Sequence, residues 1–513
     1  MNRRQFFITA GAAIGWVVMS DRDRLILAQP KFSTYPFSLG VASGDPQSDS
    51  VVLWTRLAPD PLGSPSMPKV SIPLTWKIAT DAQMTKIVQK GTTLATPEWG
   101  HAVHVVVEKL LPGQWYWYQF QVGQEKSPMG RTRTLPAPGA RLDQLKFAFV
   151  SCQNYEYGYY TAYEHLAQEN VDMVFHLGDY IYEGDPRPGR PRQHVGSNPV
   201  DLATYRLRYA LYKSDPHLQA AHAAFPFICI WDDHEVDNDY AKDQSKDFVD
   251  PVVFLRRRQA AYQAYYEHLP LRPTAQPQGI NLQLYRRFQF GDLAEFHCLD
   301  TRQYRDDQAC AKGKGGGQVV FDCPERLDPQ RSLLGSEQER WLLQGLQQSS
   351  ARWTVIAQQL MMAELKQGLA PLLGYWTDGW DGYAATRQRI LAAIAEYRPA
   401  NPVVIGGDIH SFWVTDLKSD FQDPQSPVLA TEFVGTSISS SGPNYKLFAL
   451  ALKNNPHVKF FESRYRGYAV CIISPELWTT HFRIVDTVKK PKSQIRTLAS
   501  FQVKNGQPGA QQI

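Results

Sequence analysis

"FHLGDYIYEGD" (175–185) decides how this chain is read. An apolar run, Met173 to Leu177 broken only by His176, stops at Gly178. Asp179 and Tyr182 follow three residues apart, with Glu183 and Asp185 behind them. The pattern predicts a buried strand that ends in a tight turn. Such a turn would bring a carboxylate and a phenol to one point at the strand mouth.

Outward from this stretch, apolar β-type runs alternate with helical ones from residue 145 onward. Strands are expected over 145–150, 171–177, 225–231, 293–299, 353–358 and 401–406. Helices are expected over 161–170, 252–269 and 336–349. This alternation implies an α/β fold. Five strand ends carry dense polar clusters: "VSCQNY" with Cys152, "HLGDYIYE" with Asp179 and Tyr182, "IWDDHEVDND" with Asp232, Asp233, His234 and Glu235, "CLDTRQYR" with Asp300 and Arg302, and "IGGDIHSFW" with Asp408 and His410. In open α/β sheets, ligands bind beyond the carboxyl ends of the strands. One such cluster alone has a bland reading as a turn or a helix cap; five together point to one site.

The donors suggest a centre with more than one metal. Phenolate and thiolate suit a strongly Lewis-acidic ion such as Fe(III). The harder carboxylates of Asp233 and Asp408 suit Ca, Mg or Mn. Two metals can activate water and clamp a transferring phosphoryl group. No Ser or Thr nucleophile stands among the clusters, so no covalent phosphoenzyme is expected.

Residues 36–135 read differently. "SVVLWTRL", "IPLTWKIAT", "HAVHVVVEKL" and "WYWYQFQV" are short β-type runs separated by Gly, Pro and polar breaks. They predict a small immunoglobulin- or fibronectin-like sandwich. A Pro-, Gly- and Arg-rich linker (127–144) joins it to the catalytic segment, 145–485. The tail, 486–513, reads as a last strand pair at the domain edge or as a flap near the site. A length of 513 residues is consistent with two or three domains.

The first 28 residues, with Arg3 and Arg4 before a weakly apolar stretch, read as a twin-arginine signal. That stretch is too short for a stable membrane anchor. Arg3, Arg4, Arg22 and Arg24 against Asp21 and Asp23 account for +2 of the formal +4, so the remainder gives no reason to expect nucleic-acid binding. A periplasmic or secreted monomer, exported by the twin-arginine translocase, is expected. Cys310 and Cys323, which flank a glycine-rich loop, are a candidate disulfide in that compartment. Cys229, Cys298 and Cys471 sit in apolar runs and read as core residues.

"SCQNYEYGYYTAYEHLA", "GDYIYE", "WDDHEVDNDYA", "LDTRQYR", "GGDIHSFW" and the N-terminal "FSLGVASGDPQSDSVVLWTRL" closely resemble the PhoD-type alkaline phosphatases, in the family's order and over about 36–485. The wider kinship is with calcineurin-like metallophosphoesterases and purple acid phosphatases. The resemblance implies a four-layer α/β/β/α metallophosphoesterase domain. It also implies an Fe(III)–Ca(II) centre at which a metal-held hydroxide attacks phosphate monoesters and some diesters in line. Carried over residue by residue, Cys152, Tyr182 and His410 would hold iron, Asp179 would bridge, and Asp233 and Asp408 would bind calcium. The wider superfamily has Asn and His where this chain has Asp233 and Asp408, which favours a hard calcium site.

Further roles stay open at this level. Arg302 could grip phosphate oxygens bidentately or form a structural pair with Asp300. His234 could bond the phosphate, protonate the leaving alkoxide or orient a metal ligand. Asp237, Asn238 and Asp239 could ligate further calcium or form a solvated turn. "WTDGWDGY" (376–383) could line the cleft or pack its tryptophans in a core. Two rival functions remain: a diesterase with little monoesterase activity, and a calcium-dependent binding protein that lost its chemistry.

Overall fold

The computed structural model describes residues 32, 34–63, 67–311, 315–369 and 371–513. The signal segment lies outside them. All six strands expected after residue 145 form, at Leu145–Val150, Met173–Leu177, Pro226–Ile230, Ala294–Cys298, Trp353–Ala357 and Val403–Gly406. They divide between two sheets. The first three lie side by side and parallel in a ten-stranded sheet; the last three lie side by side and parallel in a seven-stranded one. Four of the six are buried along their whole length, and in the other two only Lys146 and Glu295 are half-buried. That is why they read as apolar runs without alternation.

Aromatic side chains join the two sheets. Phe147 and Phe175 meet Phe296, with ring centroids 5.2 and 4.7 Å apart. A second apolar cluster packs Leu342 and Leu346 of helix Gly335–Gln348 and Ile390 and Ile394 of helix Ala384–Tyr397 with Ile356 and Val404 of the seven-stranded sheet. Helices Leu202–Lys213, Pro216–Ala224 and Pro251–His268 instead contribute Tyr209, Leu218 and Tyr262 to the cluster that contains Ile228 and Phe175.

The N-terminal strands differ from a free-standing sandwich. Val41–Gly44, Val51–Arg56 and Ala102–Val107 are the last three strands of the ten-stranded sheet, attached where Ser43 pairs with Pro226. A five-stranded sheet containing Ile72–Ala79 and Trp115–Val122 shares a separate apolar cluster with them. Two sheets therefore do enclose a core, but one of them is an extension of the catalytic sheet. Period-2 alternation reports one buried face and says nothing about which strand pairs along the edge.

At the opposite edge, Ile495–Lys504 and Gln507–Gln512 extend the same sheet, so the tail is a strand pair. The structure joins Cys310 and Cys323 as a disulfide. Cys229, Cys298 and Cys471 are free and buried, as is Cys152. Among the described residues, no helix is long and apolar enough to cross a membrane.

Candidate metal centre

Glycines let the strand ends converge. A Cβ on Gly178 would lie 2.6 Å from Asp232 Cβ, and one on Gly407 would lie 2.5 Å from Ser151 Oγ. The residues they release then turn sharply. Cys152, Asp179, Asp408 and His410 all sit at positive φ, between 54° and 62°. For side-chain-bearing residues this conformation is costly, and its recurrence at four neighbouring points marks a functional site. Backbone bonds bind the turns together: Cys152 N–H donates to Gly178 O (3.1 Å) and Ser440 N–H to Cys152 O (3.3 Å).

Donor atoms from Cys152, Asp179 and His410 lie within 4.8 Å of one another. The Tyr182 hydroxyl donates to Asp179 Oδ2 (2.6 Å) and stands 3.0 Å from His410 Nε2. His410 Nδ1 faces Ser441 O at 3.0 Å, which leaves Nε2 with its lone pair toward the group. A second group, Asp179, Asp232, Asp233 and Asp408, meets the same distance limit, so Asp179 belongs to both. The spacing of Asp179 and Tyr182 thus does what the sequence suggested: both point at one centre.

The electrostatics fit cations. Asp179 Oδ1 and Asp233 Oδ1 are buried with no hydrogen-bond partner. Burial, then the neighbouring carboxylates, pushes Asp179 and Asp408 well above the usual carboxylate range, although His234 opposes this at Asp179 and Arg302 at Asp408. Asp232 is pushed up to about 6 by burial, against the pull of Arg302. At Asp233, burial is outweighed by Arg302 and His234, which hold the carboxyl below its ordinary value. Burial and then Asp179 raise both the Cys152 thiol and the Tyr182 phenol well above their ordinary values. Burial, helped by Arg466, brings His410 down to about 3, so it is a neutral imidazole. Protons or metal ions can satisfy such a cluster, and this donor set fits metal.

The Arg302 guanidinium does not line the cavity and makes no bond to the Asp300 side chain. It is fully buried; Nε donates to Asp232 Oδ1 (2.5 Å), Nη1 bonds Asp378 (2.8–2.9 Å), and Nη2 stands 3.8 Å from Asp233 Oδ1. Three carboxylates surround this guanidinium, where the sequence suggested a phosphate clamp. Asp300 closes its own turn by accepting from the Arg302 and Gln303 N–H groups. His234, by contrast, lines a cavity of about 460 Å³ with Asp179, Asp233, Asp408 and His410. Its Nδ1 bonds Glu183 Oε2 (2.5 Å). Burial lowers its proton affinity, but Glu183, Asp233 and Asp179 together raise it well above normal, so it is a cation.

Sequence reasoning gave no role to three residues that shape the site. Glu235 accepts from the N–H groups of Tyr180 (2.6 Å), Asp232 (2.9 Å) and Asp179 (3.2 Å), tying two strand ends together. Glu183 accepts from Asn238 N–H (2.7 Å) while holding His234. Asp378 forms a third acidic group with Asp233 and Asp239 and also binds Arg302 and Arg305. Of the acidic turn, Asp239 joins that group, while Asp237 pairs with Arg257 (3.0 Å). In "WTDGWDGY", Trp376 and Trp380 both line the cavity, and Trp380 is also wholly buried.

Fold and site define a mixed α/β protein with an acidic, metal-type donor cluster at the strand ends. Comparison with known proteins makes this particular. A family model described as PhoD-like phosphatase matches residues 147–482, and one for the PhoD-like phosphatase N-terminal domain matches 23–136. Alkaline phosphatase D of Bacillus subtilis (strain 168) is 47% identical over 525 aligned positions, covering 100% of this chain and 89% of that protein. A solved structure described as the structure of PhoD superposes with a TM-score of 0.90 at 48% identity, covering 94% of this chain and 93% of the other. The chain belongs to the PhoD-like phosphatase family and is a phosphoric ester hydrolase.

Proposed function

We propose that this chain is an exported alkaline phosphatase, acting on phosphate monoesters and some diesters through an iron(III)–calcium centre. One observation carries the reading: Asp179 is shared between a thiol–phenol–imidazole group and an all-carboxylate group. Cys152, Tyr182 and His410 would hold the iron, Asp233 and Asp408 the calcium, and Asp179 both. Bound there, the metals supply an activated water and a clamp for phosphoryl oxygens.

The protein's own groups do the rest. Glu183 holds His234 by Nδ1, which leaves Nε2–H to donate to the ester oxygen as it leaves. Arg302 is a positioning residue whose charge keeps Asp233 ionised. Glu235 fixes the relative position of the two turns that carry Asp179 and Asp232. The α/β/β/α layering and the 36–135 sandwich belong to the same reading. They are supported by the aromatic core between the sheets and by the separate N-terminal apolar cluster.

The purified enzyme should contain iron and calcium, and a calcium-selective chelator should abolish cleavage of a chromogenic monoester until calcium is returned. Full activity in a calcium-free preparation would refute the metal assignment. Location in the periplasm or outside the cell rests on Arg3 and Arg4. Replacing both with Lys should hold the precursor in the cytoplasm; normal processing of that variant speaks against the twin-arginine route.

A further inference from the structure

A second cavity, of about 420 Å³, lies behind the wall of the catalytic one. Ser441, Gly442 and Pro443 line both. The wall is thin, because a Cβ on Gly442 would lie 2.6 Å from His410 O, Ser463 O and Arg466 Nη2 alike. On its far side stand Ser463, Arg464, Arg466 and Lys489, with Asp486 as the one carboxylate.

The cations there are unequal. Arg464 is balanced by Glu462 at 2.6 Å. Arg466 is buried, donates to Ser437 Oγ (2.8 Å), Ser440 O (2.6 Å) and Ser463 O, and among the described residues has no carboxylate within ion-pair distance. Lys489 is exposed, and among the described residues its Nζ donates only to Tyr157 O (2.6 Å). Burial, together with Arg190 and Arg466, lowers its proton affinity, as expected where positive charges face one another. The Ser463 hydroxyl is buried and, among the described residues, has no hydrogen-bond partner. Two uncompensated cations and an unused hydroxyl around one polar cavity call for an oxyanion.

We propose that this cavity is a second oxyanion site, taking a phosphate-type group beside the catalytic centre through Lys489, Arg466 and Ser463. The group is either the distal phosphoryl of a substrate that carries two phosphates a short linker apart, or free orthophosphate. The proposal rests on the phosphatase reading only for the first source. Its closeness to His410 makes it a place where the far end of an extended substrate is held while the near end reacts.

Calorimetric titration of the metal-loaded enzyme with orthophosphate tests the site without turnover. Two classes of site are expected in the wild type and one in Lys489→Glu, with Ser463→Ala weakened. A single class in the wild type, or two unchanged classes in Lys489→Glu, overturns the proposal. Kinetics then separate the sources. If substrate is the occupant, alkanediol bisphosphates should exceed the matching monophosphates by about 10-fold in kcat/KM, from one added charge-assisted contact. Lys489→Glu should erase that preference and leave monophosphate turnover alone. If orthophosphate is the occupant, the bisphosphates show no advantage, and phosphate inhibition of the wild type has a non-competitive part that Lys489→Glu loses. Failure to cleave any monophosphate would count against the phosphatase reading, while the titration still decides the site.

Discussion

The two halves of the centre share Asp179 and little else. One half offers Cys152, Tyr182 and His410, groups that burial keeps neutral. The other offers Asp232, Asp233 and Asp408, with Arg302 set among them. Among the described residues, Arg466 acts on the first group without bonding its donors, whereas in the second the buried Arg302 bonds Asp232 and lies 3.8 Å from Asp233. On the proposed reading, the difference shows how a buried site would take two metals of unlike hardness. Neutral donors can wait in a low dielectric without a counter-ion and shed protons when a strong Lewis acid arrives. In the acidic half, Asp233 is the carboxyl held, against burial, below its ordinary value, and the cations beside it, Arg302 and His234, are what hold it there.

Asp179→Asn should break both halves at once. A loss of activity on the order of 10³-fold is expected, near the upper range for removing one electrostatic stabiliser. Both metals should fall in elemental analysis of the folded protein. Retention of one metal at full stoichiometry would show that the carboxylate is not shared.

Tyr182→Phe sharpens the contrast, because it removes only the phenolic oxygen from the first half. A phenolate or thiolate bound to Fe(III) gives a visible charge-transfer band, so the enzyme should be coloured and this variant altered or bleached. A loss of about 10- to 100-fold in iron affinity is expected, by analogy with changes around metal ligands. Calcium content should stay the same. An unchanged spectrum with unchanged iron would make Tyr182 a cleft-wall aromatic.

The smallest effect is on stability against pH. Asp232, Asp239 and Glu235 are pushed up to about 6, 7 and 8, chiefly by burial. Unfolded, such groups titrate near 4. A raised carboxyl favours the fold while protonated, and that stability is lost as pH rises from about 4 through the folded value. Metal-stripped protein should therefore lose stability between pH 5 and 8 relative to loaded protein, in which cations replace the protons. The gap in Tm between the two forms should widen by several degrees. The buried histidines away from the centre titrate alike in both forms, so the gap is the readout. A constant gap would mean that the acidic half does not exchange protons for metal.

Much of this was legible in the chain. The apolar runs gave six strands because parallel strands buried on both faces must be continuously apolar. Gly178 before Asp179 announced a sharp turn at a strand end. The role of Arg302 was not legible, since its partners, Asp232 and Asp378, stand 70 and 76 residues away. Nor was that of Glu235, whose carboxylate is spent on backbone N–H groups that any sequence possesses. The continuation of the N-terminal strands into the catalytic sheet was equally hidden, because edge pairing is made by backbone groups.

The sequence by itself determined which donors this protein could bring to a metal, since residue type fixes softness, charge and protonation. It also determined where the chain must turn, since only glycine admits strand ends so close. The tertiary structure alone decided that the Arg302 guanidinium lies among carboxylates from distant parts of the chain and that a second cavity shares a wall with the first. Those facts depend on distances between side chains far apart in the chain, and the packing of two sheets face to face is what sets them.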